Sequence, residues 1–177
     1  MIDYNKLGLS IYPDFISDEE HNSLIEEIRT ELIKSRGKDR YINRNRVLRY
    51  GSTKVCHNNY QTNIFPFHIN SIADRLVNDF IVSEKPDAIN INEYIKGDFI
   101  APHVDREASG PIVTILSINS PATMLLKNNK KEKETFEIVL LPKMLIQMRS
   151  VIRWKWNHSI YPVNDLRYSI VFRNKNE

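Results

Sequence analysis

The stretch Asn92-Glu-Tyr-Ile-Lys-Gly-Asp-Phe-Ile-Ala-Pro-His-Val-Asp105 carries the strongest structural and chemical signals in the chain. Its first part continues a run, Ala88–Ile95, in which apolar and polar residues alternate as in a half-buried β-strand. A Gly-Asp pair then predicts a turn. After it, His103 and Asp105 stand at alternate positions, so an extended backbone would direct an imidazole and a carboxylate to one face. Both side chains could then bind one metal ion.

Length and composition indicate one ordinary globular domain. The chain has 177 residues, of which 41% are hydrophobic and 27% charged, so we predict a single domain, 1–177, that buries a sizeable core. No apolar run approaches the ~18 residues of a membrane span, and the N-terminus lacks a signal-peptide pattern. We therefore expect a monomer without a membrane partner, in an intracellular (cytoplasmic or nuclear) location. A single cysteine, Cys56, excludes an intrachain disulfide and a multi-cysteine zinc site.

Helical patterns come first in the chain and strand patterns follow. Ser17-Asp-Glu-Glu20 is a capping box that predicts the start of an amphipathic helix. A second helix is predicted from Phe67, with apolar positions up to Phe80 and an end near Ser83-Glu-Lys-Pro86. From residue 88 onward the pattern changes to roughly eight short strands. These strands include Ile152–His158 and Leu166–Arg173. The order predicts a mostly β (α+β) fold, a sandwich or barrel with two N-terminal helices packed on one side.

A basic stretch follows the first helix. Seven Lys or Arg residues between positions 34 and 49 accompany a single carboxylate, Asp39, with Tyr41 and Tyr50 close by. Clustered cations suit a phosphate backbone, and tyrosine rings can stack on bases. A solvated loop is the alternative, and the pattern alone does not decide between them. The cations are Lys34, Arg36, Lys38, Arg40, Arg44, Arg46 and Arg49.

The C-terminal strand adds two arginines, and a histidine precedes it. One face of this predicted strand carries Arg167, Ser169, Val171 and Arg173. The two guanidinium groups could grip a small dicarboxylic acid by bidentate pairing, although two solvated arginines on a surface strand are the alternative. His158 supplies a possible third metal ligand. Two histidines and one carboxylate form the facial triad of non-haem Fe(II) oxygenases, which leaves positions open for cosubstrate and oxygen.

Together these motifs resemble the AlkB family of Fe(II)/2-oxoglutarate dioxygenases. The resemblance lies in Asn92-Glu-Tyr94, His103-Val-Asp105, Arg153-Trp-Lys-Trp-Asn-His158 and Arg167-Tyr-Ser-Ile-Val-Phe-Arg173, in the family's order and near its spacings. The opening stretch, residues 8–20, is also similar to the family's start, so the resemblance covers nearly the whole chain. Ser159 stands where the family usually has glycine, which marks a divergent member and leaves the substrate, rather than the cofactor, in question.

The resemblance implies a double-stranded β-helix (jelly-roll) catalytic core over 88–177, with helices and a nucleotide-recognition lid in 1–87. It implies Fe(II), with 2-oxoglutarate and O2 as cosubstrates, and the catalytic metal ligands His103, Asp105 and His158. The implied cosubstrate contacts are Asn92, Tyr94, Arg167, Ser169 and Arg173, with Arg167 on the far carboxylate. The implied substrate contacts are Glu107, on the strand face of Asp105, and Arg44, Arg46 and Arg49 of the basic stretch.

The implied activity is oxidative demethylation of N-alkylated DNA or RNA bases, with release of succinate, carbon dioxide and formaldehyde. A base within a duplex would first have to be flipped out of the stack. Two alternatives stay open, a protein demethylase or hydroxylase and a nucleic-acid-binding module whose iron site is inactive. The basic stretch favours a nucleic acid partner over a protein, and the intact triad with both arginines argues against the inactive module.

Overall fold

The computed structural model describes residues 4–35, 45–51, 64–131 and 134–174. Its helices are α1 (Tyr4–Leu7), α2 (Asp18–Lys34), α3 (Phe67–Asn78) and α4 (Ser150–Lys155). Its strands are β1 (Leu9–Tyr12), β2 (Arg46–Gly51), β3 (Ala88–Tyr94), β4 (Ile100–His103), β5 (Val113–Ile118), β6 (Ala122–Asn128), β7 (Thr135–Leu140), β8 (Leu145–Met148), β9 (Trp156–Ile160) and β10 (Arg167–Arg173). A short 3-10 turn, Glu107–Ser109, lies between β4 and β5.

Two antiparallel sheets face each other and form the jelly roll. The six-stranded sheet has the order β1-β8-β5-β10-β3-β2, and the four-stranded sheet has the order β4-β9-β6-β7. One hydrophobic core fills the space between the sheets, and a second lies between the six-stranded sheet and the helices α2 and α3. Strand alternation separates the two cores, since Tyr168, Ile170 and Phe172 of β10 face the helices while Val171 faces the other sheet. The predicted fold class is confirmed.

Capping interactions hold the two long helices. In the predicted capping box, Glu20 N donates to Ser17 Oγ at 3.1 Å and Ser17 N donates to the Glu20 carboxylate at 2.8 Å. Glu27 of α2 accepts the first backbone N–H groups of α3, from residues 68 and 69, at 2.9 and 3.0 Å. The prediction for the end of α3 was wrong, because Phe80 lies beyond it with a φ of 57° and is 94% exposed. None of the helices in the described ranges is long and apolar enough to cross a membrane.

The last part of the basic stretch is a strand of the core sheet, not a loop. Arg46–Gly51 pairs with β3, and Leu48 and Tyr50 are buried against α2 and α3. The charged residues between these apolar ones concealed the alternation. The six-stranded sheet takes strands from both sides of position 87/88, since β1 and β2 precede it. The single domain 1–177, with a lid in its first part, stays a prediction. Residues 36–44 and 52–63, where most of the expected lid falls, lie outside the described residues.

The predicted strand Ile152–His158 was wrong in its first half. Residues up to Lys155 belong to α4, and β9 begins at Trp156. Ile152 and Arg153 are both buried, at 1% and 2% exposure, whereas an extended chain would place neighbouring side chains on opposite faces. A helical turn buries the two together, and it leaves Trp154 and Lys155 at the surface.

Candidate metal and cosubstrate site

Three side chains converge at one end of the space between the sheets. His103 and His158 are paired across β4 and β9, and Asp105 follows two residues after the end of β4. His103 Nε2 lies 3.8 Å from Asp105 Oδ1, and His158 Nε2 lies 4.0 Å from Asp105 Oδ2. With metal–ligand bonds of roughly 2.0–2.2 Å, one ion can bridge atoms at such separations. The three predicted metal ligands therefore lie together, with their ligand atoms all within 4.8 Å of one another.

Hydrogen bonding leaves the correct atoms free for a metal. His103 Nδ1 lies 2.9 Å from the carbonyl oxygen of Ala101, and a carbonyl can only accept, so this nitrogen carries the proton. The lone pair of His103 is thereby assigned to Nε2, which is the atom that faces Asp105. Asp105 Oδ2 is buried and has no hydrogen-bond partner among the described residues. A buried carboxylate oxygen without a donor is expected where a cation binds.

Electrostatics hold His158 and Asp105 in the protonation states that a metal requires. Burial lowers the pKa of His158 to about 4, although the neighbouring Asp105 opposes this shift. Burial alone would raise the pKa of Asp105, but the charges of Arg173, the two histidines and Arg153 together bring it below its usual value. At neutral pH, His158 is therefore neutral and Asp105 is anionic, which suits binding of a divalent cation.

The opposite end of the space holds a buried arginine that lacks a carboxylate. Arg167 is 1% exposed, and its Nη2 donates to Ser117 Oγ at 3.3 Å. Its Nε and Nη1 have no partner among the residues that the structure describes, and the Tyr94 ring lies 4.9 Å from its Cζ. Leaving guanidinium N–H groups buried and unpaired is costly. The free nitrogens fit the terminal carboxylate of a diacid such as 2-oxoglutarate, which would pair with them in bidentate fashion.

A cavity of about 180 Å³ joins the two ends. All five predicted cosubstrate residues line it, namely Asn92, Tyr94, Arg167, Ser169 and Arg173. Their contacts with 2-oxoglutarate stay predictions. The His103 side chain is 39% exposed, whereas those of His158 and Asp105 are 11% and 9% exposed. Because Arg167 is almost fully buried and His103 is partly exposed, the cavity formed by the described residues is closed at its arginine end and open at its metal end.

Sequence reasoning gave no role to Arg153, although this residue fixes the loop that carries Asp105. Its Nη1 donates to the carbonyl oxygen of Asp105 at 3.0 Å, its Nη2 to that of Arg106 at 2.8 Å, and its Nε to that of Gly110 at 3.1 Å. These three bonds tie the loop to α4, which leads directly into the strand of His158. The only sequence signal was the place of Arg153 in the motif that ends at His158, since its acceptors are all backbone atoms.

Two asparagines were also missed. With the Asn90 amide oriented so that its oxygen faces Arg173, that oxygen accepts from Nη1 at 2.6 Å. Arg173 also binds Asp105, with Nη2 3.0 Å from Oδ1. Asn45 Nδ2 donates to Asn92 Oδ1 at 2.8 Å, and Asn45 lines the cavity. Asn90 and Asn45 thus orient two side chains that sequence reasoning had assigned to the site.

The expected substrate contacts are dispersed. Glu107 is exposed but lies in the 3-10 turn, so its expected position on a strand face shared with Asp105 was wrong. Arg46 Nη2 donates to Ser35 Oγ at 2.6 Å and to the carbonyl oxygen of Leu32 at 2.9 Å, so this guanidinium closes the end of α2 rather than facing outward. Arg49 is paired with Asn90 and shares its face, the side of the sheet that lines the cavity. Arg44 lies outside the described residues.

The jelly roll, the histidine–carboxylate triad and the buried arginine define a non-haem iron oxygenase. The profile of the 2OG-Fe(II) oxygenase superfamily matches residues 8–173. The chain belongs to that superfamily, and it is an AlkB-like member.

Curated relatives and solved structures agree with this placement. The chain is 28% identical to uncharacterized protein L905 of Acanthamoeba polyphaga mimivirus, over 96% of this chain and 86% of that protein. It is also 28% identical to the mouse tRNA (carboxymethyluridine(34)-5-O)-methyltransferase ALKBH8, over 88% of this chain but 24% of that protein. The fold matches OsALKBH1 with a TM-score of 0.74 at 15% identity, covering 94% and 98% of the two chains. It matches a Pseudomonas putida prolyl-4-hydroxylase with a TM-score of 0.69 at 11% identity, covering 98% and 96%.

Membership of the superfamily gives the reaction class and the cofactors. The protein is a dioxygenase that uses Fe(II), with 2-oxoglutarate and O2 as cosubstrates. The residues present fit these groups, since two histidines with an anionic carboxylate suit Fe(II) and the unpaired nitrogens of Arg167 suit a carboxylate.

Proposed function

We propose that this dioxygenase oxidatively demethylates N-alkylated bases of DNA or RNA and releases succinate, carbon dioxide and formaldehyde. The observation that carries the proposal is the small cavity, about 180 Å³, which is closed at Arg167 and open at the metal ligands. Pockets that enclose a whole ligand typically measure about 300–1,000 Å³. Once 2-oxoglutarate occupies this cavity, a target can only present a small group at its mouth. An N-methyl group on an extruded base meets that requirement.

Residues at the two ends of the cavity would have different roles in such a reaction. Bound iron with 2-oxoglutarate and O2 supplies the oxidising power for hydroxylation of a C–H bond. Arg167 holds the far carboxylate of the cosubstrate, and Asn92 and Tyr94 orient it. Arg173 keeps Asp105 anionic, as the lowered pKa of that carboxylate indicates. Apolar cavity walls restrict water around the reacting atoms; they include Val113, Ile115, Met124, Leu140, Ile160 and Val171.

Three observations support a nucleic acid as the target. The formal net charge is +3, and the basic stretch concentrates cations in one segment of the chain. Arg49 lies on the cavity face of β2, at the edge of the six-stranded sheet. Several relatives at 25–28% identity carry the name of a tRNA methyltransferase. A protein target is less well supported, because the likeness to prolyl hydroxylases, at 11–13% identity, concerns the fold alone.

The proposal is tested with a panel of single- and double-stranded DNA and RNA oligonucleotides, each with one N-methylated base, and with methylated peptides as competitors. Mass spectrometry of the products and a formaldehyde assay should show loss of methyl groups from oligonucleotides that depends on 2-oxoglutarate. Asp105→Ala protein serves as the inactive control. Turnover of peptides without turnover of any oligonucleotide would replace the proposal with the protein-directed alternative.

A matched pair of variants tests the role of Arg49. Arg49→Gln and Arg46→Gln each remove one positive charge from β2, but only Arg49 lies on the cavity face. Arg49→Gln should weaken oligonucleotide binding and reduce the salt slope by about 0.7–0.9, the value for one phosphate that is no longer neutralised. Arg46→Gln should instead lower the melting temperature, because the end of α2 loses its donor. Equal effects of the two variants on binding would show that only net charge matters.

A further inference from the structure

We propose that α4 and its flanks form a second nucleic-acid contact surface, in which Trp154 stacks on a base beside the target nucleotide. This inference rests on the proposed function and specifies a part of the protein that would hold the strand. The sequence pattern did not reveal the surface, because Trp154 was expected in a strand. The surface consists of Trp154, Arg149, Lys155 and Arg106.

The position of Trp154 is fixed relative to the metal ligands. Its indole is 36% exposed and lies 4.2 Å from the Cζ atom of Arg153. Arg153 in turn donates to the carbonyl oxygen of Asp105 at 3.0 Å. A single guanidinium group therefore separates the indole from the backbone of a metal ligand. Because the cation–π contact holds the ring in place, stacking on a base would cost little further side-chain entropy.

The charge around the indole suits a polyanion. Residues 142–164 contain no Asp or Glu, and within them Arg149, which directly precedes α4, and Lys155, the last residue of α4, are exposed. Arg106 is exposed on the loop that Arg153 holds. The tip of the β6–β7 hairpin docks here, since its Asn129 N donates to the carbonyl oxygen of Lys155 at 3.0 Å. Among the described residues, the exposed acidic side chains on the metal-ligand loop and at the hairpin tip are those of Glu107 and Glu134, against the three cations Arg106, Arg149 and Lys155.

The two tryptophans of the chain differ in exposure. Trp154 uses one ring face for its cation–π contact with Arg153, and 36% of the residue remains exposed to water. Trp156, the second of the two tryptophans in the chain, is only 2% exposed. An exposed aromatic ring among cations is the usual arrangement for binding single-stranded nucleic acid, because every base offers a face for stacking.

The two tryptophans make the stacking directly measurable. We would titrate the Fe-free protein, loaded with Co(II) and 2-oxoglutarate, with a single-stranded DNA of about 15 nucleotides that carries one N-methylated adenine. Stacking on Trp154 should quench part of the tryptophan emission, and this quenching should be absent in Trp154→Phe, which keeps only the buried Trp156. Trp154→Ala should bind the oligonucleotide about tenfold more weakly, with Trp154→Phe between it and the wild type.

Charge variants and a control complete the test. Arg149→Gln combined with Lys155→Gln should reduce the salt slope of binding by about 0.7–0.9 for each phosphate that is no longer neutralised. Tyr161→Ala removes another exposed aromatic ring, 40% exposed and bonded to Glu137, and should leave both binding and demethylation unchanged. The melting temperature of each variant with Co(II) and 2-oxoglutarate reports whether the fold and the site remain intact.

The outcomes separate this inference from the proposed function. If the wild type demethylates the oligonucleotide but Trp154→Ala binds it with unchanged affinity and the emission is not quenched, the surface is wrong and the function stands. If the wild type neither binds nor demethylates any methylated oligonucleotide, both are overturned. Quenching with a tenfold loss in Trp154→Ala, and partial rescue by phenylalanine, supports the surface.

Discussion

The two ends of β10 carry the same side chain in opposite circumstances. Arg173 binds Asp105 at 3.0 Å and its side chain is 13% exposed, so the fold itself supplies its counter-charge. Arg167 is 1% exposed and leaves Nε and Nη1 without a partner among the described residues. The fold therefore gives one arginine a carboxylate partner and holds the other, without a carboxylate, in position for a ligand. The difference teaches that the closed end of the cavity is organised for a carboxylate before any carboxylate binds.

The largest effect should come from the metal end. Asp105→Ala removes the only anionic ligand of the triad, and two neutral imidazoles cannot balance a dication, so Fe(II) binding and turnover should be lost. Succinate release and Co(II) titration would measure the two losses. Asp165→Ala, which removes an exposed carboxylate, is the control. Wild-type succinate release from the Asp105→Ala protein at the same iron concentration would exclude Asp105 from the triad.

The next effect should come from the arginine end and should affect a different quantity. Arg167→Met should raise the KM for 2-oxoglutarate sharply, because a buried carboxylate that loses its guanidinium partner costs on the order of 2–5 kcal/mol. Metal affinity should change far less. Thermal unfolding of the ligand-free protein distinguishes the two arginines more sharply. Arg167→Met removes a buried cation that has no carboxylate partner, so it should not lower the melting temperature.

Arg173→Met is the matched variant for the same assays. It strips a partner from Asp105 and should lower the melting temperature of the ligand-free protein. Equal destabilisation by both substitutions would remove the distinction between the two ends of β10. An unchanged KM in Arg167→Met would mean that a different cation binds the cosubstrate.

A smaller effect is expected from the residue that positions the metal end. Arg153→Met leaves three backbone carbonyls of the loop without their donor and should weaken metal binding about 10- to 100-fold. Saturating iron should restore most of the turnover, which distinguishes a positioning role from a direct one. Arg29→Met, an exposed arginine on α2 that pairs with Glu26, is the control. An unchanged Co(II) affinity in Arg153→Met would show that the loop keeps its conformation without the three hydrogen bonds from Arg153.

The smallest effect concerns pH and the arginine end alone. His21 Nε2 accepts the backbone N–H of Asn119 at 3.0 Å, and Asn119 Nδ2 donates to the carbonyl oxygen of Leu166 at 2.6 Å, next to Arg167. Burial, with help from Lys143, lowers the pKa of His21 below its ordinary value of 6.5. Protonation removes the acceptor, so the stabilisation is complete above that ordinary value and is lost as the pH falls below it.

His21→Gln tests this dependence, because the amide oxygen of glutamine can accept the same hydrogen bond and does not titrate. The melting temperatures of the wild type and the variant are followed from about pH 8 to 5. As the pH falls, the melting temperature of the wild type should decrease more than that of the variant. The affinity for 2-oxoglutarate should follow the same trend, while Co(II) affinity should not differ between the two proteins. A constant difference across the range would exclude His21 as the titrating group.

The success of sequence reasoning depended on how regular the local pattern was. The alternation in β10 correctly separated the helix-facing side, with Tyr168 and Phe172, from the cavity side, with both arginines. The convergence of the three candidate metal ligands was predicted because the chemistry of a triad limits the residue types. Each element missed had an ambiguous pattern: charges concealed the strand Arg46–Gly51, and the apolar residues of α4 suited a strand as well as a helical turn.

Partners that are backbone atoms could not be predicted at all. The carbonyl groups that Arg153 binds are present in every residue, so no residue type marks them. The same holds for Arg46, whose acceptors include the carbonyl oxygen of Leu32 at the end of α2. In the sequence this arginine was one of seven similar cations, and only tertiary structure separates it from Arg49 on the opposite face of the strand.

The central place of β10 in the sheet has a consequence for how the protein is made. A chain synthesised only as far as Ile160 already carries all three metal ligands, but it lacks the strand that lies between β5 and β3. Contacts of such long sequence separation are slow to form, because loop-closure entropy opposes them. Arg167 and Arg173 reach the site only with this strand, so the predicted cosubstrate contacts require the same event that completes the six-stranded sheet. An incomplete nascent chain that binds iron therefore lacks both arginines predicted to hold the cosubstrate, and the predicted oxidising site is complete only when β10 has joined the sheet.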